Sequence, residues 1–389
     1  IEAQQILQWQ RQKRAFEVHK YVADIPMSFR HKRDHNTHRL LRAISSNCLL
    51  SKLPTHAQAP PTERLLSAVQ CSTAFAAAPE LLANTKALLR NCKISFEFGE
   101  AAAPQQPHSI HGSKAADLQR LQELCAEGLN YRYNTITDEI IARIEMEIDV
   151  IAEKNYLSYF LITYDFTSYA RSKGYFYVGR GSGANSIVAY LLRITDVDPL
   201  ELDLYFERFI NLYRKNPPDF DIDFSWRDRD DVVRYIFERY PNAAWLCTYS
   251  TFQYRACIHE LSKVFGLPAG TSKILSRGKG SLSEFADLGA LILRYAKYIE
   301  GLPSHLSVHA GGIVISERPL TAFAACFLPP KGYPCTQFSM LEAEDVGLYK
   351  FDVLSQRGLG KISEALDIIR QSQPAQELPD IHNIAILKQ

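Results

Sequence analysis

The stretch NPPDFDIDF, residues 216–224, alternates carboxylates with apolar side chains. Asp219, Asp221 and Asp223 share one register, and Phe220, Ile222 and Phe224 share the other. Successive side chains of a strand point to opposite faces, so an extended backbone here turns three acids one way and three apolar groups the other. Asp is a poor strand former, and acids two apart on one face stand roughly 6.5–7 Å from each other. At an effective dielectric of about 20, two such charges repel by about 2.5 kcal/mol. Two explanations stand side by side. One is an edge strand with an acidic solvent face. The other is a site for a divalent cation, because magnesium takes carboxylate oxygens and keeps waters for a phosphate substrate. Pro217 and Pro218 fix the approach and make Asp219 the first strand residue, which leaves Asp221 and Asp223 as the better-placed pair.

Upstream, VGRGSGANSIVAYLL at 178–192 sets glycines at 179, 181 and 183 between a strand closed by Val178 and a helix whose face carries Ile187, Val188, Leu191 and Leu192. A glycine turn at a helix N-terminus offers unpaired N–H groups to a phosphate, with Arg180 and Ser182 adding donors. A tight structural turn accounts for the same residues equally well. Ala184 follows the last glycine, so neither the P-loop pattern nor the dinucleotide fingerprint is satisfied. Downstream, Tyr349-Lys350-Phe351-Asp352-Val353 puts Lys350 and Asp352 on one strand face. Alone they read as a solvated surface pair. Combined with the acidic strand and the glycine-serine turn, they supply the parts of metal-assisted phosphoryl or nucleotidyl transfer.

The composition is that of a globular chain. Of 389 residues, 46% are hydrophobic, which divides naturally into two or three domains, and the formal charge is +1 from 44 basic and 43 acidic residues. Bulk charge therefore does not announce nucleic acid, and phosphate binding has to be local. No run of 18 apolar residues and no signal-peptide core appears, so a soluble, cytoplasmic protein is expected. Eight cysteines without any CxxC pair read as reduced thiols. A start at Ile1 suggests a piece of a longer chain.

Helical periodicity is expected over 36–50, 63–91, 159–173, 228–240 and 253–265, and strands over 94–98, 175–178, 308–315 and 348–354. Thr137, Asp138 and Glu139 start a further helix whose stripe of Ile140, Ile141, Ile144, Ile148 and Ile151 is ordinary core. SKILSRGKGS at 272–281 reads as a basic loop, and a boundary is expected near 95–115. This irregular alternation fits an α+β, mixed α/β core rather than a doubly wound sheet.

In order along the chain, YLSYFLITYDFTSYARSKG, VGRGSGANSIVAYLLRITDVDPLELDLYFERFI, PPDFDIDF, VHAGGIVIS and KFDVL resemble the α subunit of bacterial DNA polymerase III, the family C replicative polymerases. The resemblance runs from about residue 20 to 370. It implies a palm similar to polymerase β-type nucleotidyltransferases, split into 96–252 and 301–357 by a helical thumb at 253–300. Residues 1–95 would be the C-terminal remnant of a PHP domain with its linker, and 358–389 the start of the fingers. Catalysis would fall to Asp221, Asp223 and Asp352, holding two Mg2+ ions, with Asp219 in support and Asp352 helping to deprotonate the attacking hydroxyl. Gly181 and Ser182 would meet the incoming triphosphate, with Arg180 and Lys350 as charge partners. Lys273, Arg277 and Lys279 would grip duplex phosphates, although a solvated basic loop explains those three as well.

The implied activity is template-directed DNA synthesis from dNTPs on primer–template DNA, with a sliding clamp and other replicase subunits as partners of the full-length protein. A non-catalytic DNA-binding piece and a template-independent nucleotidyltransferase are the alternatives. Pro26 stands where the PHP domain would carry a histidine ligand, so no exonuclease is expected of this chain. His31, Asp34, His35 and His38 lie at helical spacing, but four nearby basic residues argue against a metal there. His309 reads as a hydrogen-bonded strand histidine rather than a base.

Overall fold

The structure, a computed structural model, describes residues 1–12, 15–93, 95, 97–99, 102–210, 218–268, 270–277 and 286–378. The chain divides into two compact units, Ile1–Ser95 with Ser250–His305, and Phe96–Tyr249 with Leu306–Gln389.

The first unit is helical. Tyr254–Val264 places Cys257, Ile258, Leu261 and Val264 on one face, and Ala286–Ile299 does the same with Ile292, Tyr295, Ala296 and Ile299. These faces close on Leu40 and Ala43 of the helix Asp34–Ser45. A second cluster gathers Ile6, Trp9, Phe75 and Leu81. The periodic segment 63–91 is two helices, Ala68–Ala74 and Pro79–Asn91, because Pro79 cannot continue the first and instead opens the second at its first turn. Thr271–Ser276 is helical where a loop is expected, and the remainder of that basic stretch from 278, Lys279 included, lies outside the described residues.

The second unit is built on a mixed sheet of seven strands: β1 Tyr177–Arg180, β2 Asp221–Ser225, β3 Ala243–Thr251, β4 Pro303–Ile315, β5 Cys326–Phe327, β6 Cys335–Thr336 and β7 Lys350–Gln356. The spatial order is β1-β2-β7-β4-β3-β6-β5. β2 and β7 run parallel, while β1 and β4 flank that pair antiparallel. The first strand starts two residues later than the 175–178 expected and leaves Val178 exposed, since it continues through Gly179 to Arg180. No strand is found at Ser95, Glu97 or Phe98, and Ile94 and Phe96 lie outside the described residues.

Core formation follows the alternation. Phe220, Ile222 and Phe224 are 0–2% exposed and join Phe351 and Val353 beneath the sheet. The helix Leu157–Ser172 packs against that layer and is apolar nearly all round, with Leu157, Tyr159, Phe160, Leu161, Ile162 and Phe166 buried. Its Thr163 and Thr167 hydroxyls donate to carbonyls four residues back, at 2.8 Å each, so neither is left unpaired in this apolar setting. In the helix Asp138–Glu153 the expected stripe is buried except Ile141, which faces outward. On the opposite face of the sheet, Ala244, Leu246 and Val314 meet Leu320, Phe323 and Leu348. Among the described residues no helix is long and apolar enough to cross a membrane. All eight cysteines are free thiols.

Candidate active site

Parallel pairing of β2 with β7 sets Asp221 beside Asp352, and the antiparallel β1 sets Arg180 beside Asp221. Asp219 precedes the strand, which begins at Asp221 rather than at Asp219. Ligand atoms of Asp219, Asp221 and Asp352 lie within 4.8 Å of one another. Asp223 is outside that group of three and buried, with its Oδ2 accepting from Arg180 Nε at 2.8 Å. The other arm of the same guanidinium, Nη1, donates to Asp221 Oδ2 at 3.1 Å. Lys350 plays the matching part for the remaining acids, donating to Asp219 Oδ2 at 3.0 Å and to Asp352 Oδ2.

Two cations thus serve four carboxylates, and the surplus shows in the acids. Burial pushes the Asp221 and Asp352 carboxyls above their ordinary range; the Asp219 charge adds to both, while Arg180 opposes the rise at Asp221 and Lys350 at Asp352. For Lys350, burial works downward but Asp352 and Asp219 outweigh it, so the ammonium is held. Asp219 Oδ1 and Asp352 Oδ1 are buried without a hydrogen-bond partner. A crowded set of carboxylates with two orphaned oxygens suits a hard divalent cation with oxygen ligands.

The glycine turn Gly181–Asn185 follows β1 directly. Gly181 has φ +76°, and a Cβ there would stand 2.9 Å from Asp221 Oδ2, so only glycine lets the chain turn this close to the acid. A Cβ on Gly183 would meet the Phe220 ring at 2.5 Å. Ser182 is half-buried beside them, its carbonyl accepting from Asn185 Nδ2 at 2.7 Å. The helix that follows, Ile187–Leu191, does not offer its N-terminus to a ligand as the turn pattern suggests. Glu147, fully buried, accepts from Ser186 Oγ, Ile187 N and Val188 N at 2.7, 3.1 and 3.2 Å, and Ser186 Oγ takes Ala189 N. An internal carboxylate has taken the anion's place, with Arg143 as its counter-ion at 2.8 Å. Donors for a phosphate are therefore left to the turn itself.

Two contributors were not singled out from the sequence. Glu147 lies within the isoleucine stripe, three residues after Ile144 and four before Ile151, and an acid there with arginine four residues earlier is a readable signal of a buried pair. Tyr159 is fully buried behind the acids, its hydroxyl donating to Lys350 O at 3.0 Å and accepting from Phe220 N at 3.1 Å. Nothing in its apolar neighbourhood distinguishes it from other core aromatics. Elsewhere, His309 Nδ1 accepts from the Gly311 and Gly312 amides at 3.2 and 2.6 Å, which fixes a neutral ring whose pKa burial and then Lys350 lower. His35 and His38 spend their Nε2 atoms on the Ala59 backbone at 3.0 and 2.9 Å. Lys273 and Arg277 are exposed on the helical unit.

The family model described as the bacterial DNA polymerase III alpha NTPase domain matches residues 119–355, which contain every residue of this site. The chain belongs to that family. It is 32% identical over 363 residues to the DNA polymerase III subunit alpha of Bacillus subtilis, covering 88% of this chain and 32% of the relative. For the subunit alpha of Escherichia coli K12 the identity is 31% over 393 residues, covering 94% and 34%. The error-prone DNA polymerase of Symbiobacterium thermophilum is 33% identical over 314 residues, covering 75% and 28%. The chain spans about a third of the length of the curated relatives it matches.

Proposed function

We propose that this chain carries the nucleotidyl-transfer centre of a bacterial DNA-directed DNA polymerase, joining dNTPs to a primer 3′-hydroxyl on a DNA template. The observation that carries the reading is the convergence of Asp219, Asp221 and Asp352 within 4.8 Å from two separate segments, with two carboxylate oxygens left unpartnered. In this reading the sheet unit is the palm, similar to polymerase β-type nucleotidyltransferases, with segment 253–300 as thumb, 358–389 as the start of the fingers and 1–95 as the PHP remnant.

Asp221, Asp223 and Asp352 would hold two Mg2+ ions, with Asp219 in support. When bound, such ions supply charge neutralisation and a more acidic hydroxyl. The protein's own groups do the rest. Arg180 and Lys350 balance the acids and would meet triphosphate oxygens, with the Gly181–Ser182 turn adding backbone donors. Asp352 would also help to deprotonate the attacking hydroxyl. As a replicase component it would act in the cytoplasm with primer–template DNA, dNTPs, a sliding clamp and other subunits.

Primer extension by the complete polypeptide that carries this chain is the test. Asp223→Asn and Asp352→Asn are expected to abolish incorporation with the fold retained, and omitting the template strand is expected to stop synthesis. Normal extension by either variant refutes the residue roles, and synthesis without template points to the template-independent transferase.

A further inference from the structure

The ladder between β2 and β7 stops at a particular rung. Pairing begins at Asp221 with Asp352, and one residue earlier the parallel pattern would join Phe220 N directly to Lys350 O. That bond is replaced. The hydroxyl of Tyr159 accepts from Phe220 N at 3.1 Å and donates to Lys350 O at 3.0 Å, so the two segments stand apart by the width of one oxygen. The acids and the lysine of the site hang from this rung: Asp219 and Asp221 flank Phe220, and Asp352 lies two residues beyond Lys350.

We infer that Tyr159 is a positioning residue of the acidic site, its hydroxyl inserted into the strand ladder to set the gap between the Asp219–Asp221 segment and the Lys350–Asp352 strand. The inference rests on the metal-dependent reading above. The ring cannot turn away. It stacks on Phe220 at 5.5 Å and 11° and lies 4.7 Å from Phe351, all on the buried face. Burial, then the Asp219 charge, drives its acidity far down, so the hydroxyl keeps the proton it donates to Lys350 O. Without the hydroxyl the ladder either zips shut by one rung or splays, and in both cases Asp219 moves relative to Asp352. Groups that orient metal ligands in this way typically cost 10–100-fold in metal affinity or activity when removed.

Tyr159→Phe keeps the ring and deletes the bridge. Tyr177→Phe is the matched control, because it deletes another buried hydroxyl of the same sheet, one that donates to Arg193 O at 2.5 Å and accepts from Arg171 Nη1 at 2.6 Å instead of bridging the Phe220 and Lys350 backbones. Mn2+ binding to the complete polypeptide, measured by calorimetry without DNA, should weaken about tenfold or more in Tyr159→Phe and hold in Tyr177→Phe. Added Mg2+ should restore primer extension by Tyr159→Phe, with primer–template affinity unchanged. A folded Tyr159→Phe protein that binds Mn2+ as the wild type does overturns the inference. Mn2+ binding that Asp352→Asn leaves unchanged overturns the underlying site as well, and that result is distinguishable because it appears with Tyr159 intact. An isotope label on the Tyr159 ring carbon of the wild type, read by NMR, gives a measurement independent of variant folding: its resonance should follow Mg2+ titration, and an unmoved resonance counts against the bridge.

Discussion

Magnesium should act on this protein as a stabilising ligand, and the size of the effect follows from the crowding of the acids. Asp219, Asp221 and Asp352 bring ligand atoms within 4.8 Å of one another. At that distance and an effective dielectric of about 20, each pair of full charges repels by about 3.5 kcal/mol. Arg180 and Lys350 offset much of this but leave Asp219 Oδ1 and Asp352 Oδ1 without partners. A cation that binds the folded site and not the unfolded chain, at about 100 times its dissociation constant, adds about 2.7 kcal/mol. For a unit of roughly 150–250 residues, each kcal/mol moves the midpoint by about 2–4 °C, so the unit carrying the sheet should gain roughly 5–11 °C. Scanning calorimetry of the chain in MgCl2 against NaCl at equal ionic strength reads this directly. Asp352→Asn should lose most of the gain. An equal gain in that variant, or none in the wild type, would refute the reasoning.

Acidity offers a second readout. The folded Asp221 and Asp352 carboxyls titrate above the ordinary value of 3.8, burial being the main cause. The folded state therefore holds these protons more tightly than the unfolded chain, and the stability they contribute is full below about pH 3.8 and lost as pH rises through the raised values. In EDTA, the wild type should gain on the Asp221→Asn/Asp352→Asn variant as pH is lowered through that window, and a pH-independent difference in melting temperature would contradict it. Glu147→Gln breaks a buried ion pair and the acceptor set of the helix Ile187–Leu191. About 3 kcal/mol or more should be lost, on the order of 6–12 °C in thermal midpoint; an unshifted midpoint would show that Arg143 and the helix do not depend on the charge.

The alternation in PDFDIDF is enough to orient β2, because a period of two with three acids and three apolar groups admits only one burial. KFDVL is legible for the same reason, with Phe351 and Val353 buried and Lys350 and Asp352 on the site face. What sequence could not supply is register. Whether Asp352 lands beside Asp221 or one pleat away is decided by tertiary pairing, and the observed register groups Asp219 rather than Asp223 with that pair. From sequence the glycine turn reads equally as a phosphate cradle or a tight structural turn, because Glu147, far upstream, gives no sign of its partner. Tyr159 was hidden for a related reason: a tyrosine in an apolar helix shows its ring to the pattern, while the work of its hydroxyl depends on two backbone groups from distant segments. Ile141 shows the opposite error, an apolar residue assigned inward by its place in a helical stripe that geometry turns out.

The two arms of the acidic site lie far apart along the chain: Asp219 and its ammonium partner Lys350 are separated by 131 residues. During translation at about 5–20 residues per second, the PDFDIDF segment waits roughly 7–26 s before its β7 neighbour is even polymerised. Throughout that interval its parallel mate does not exist, and its acids lack Lys350. Of the two cations that serve these acids in the folded protein, Arg180 alone has been synthesised by then.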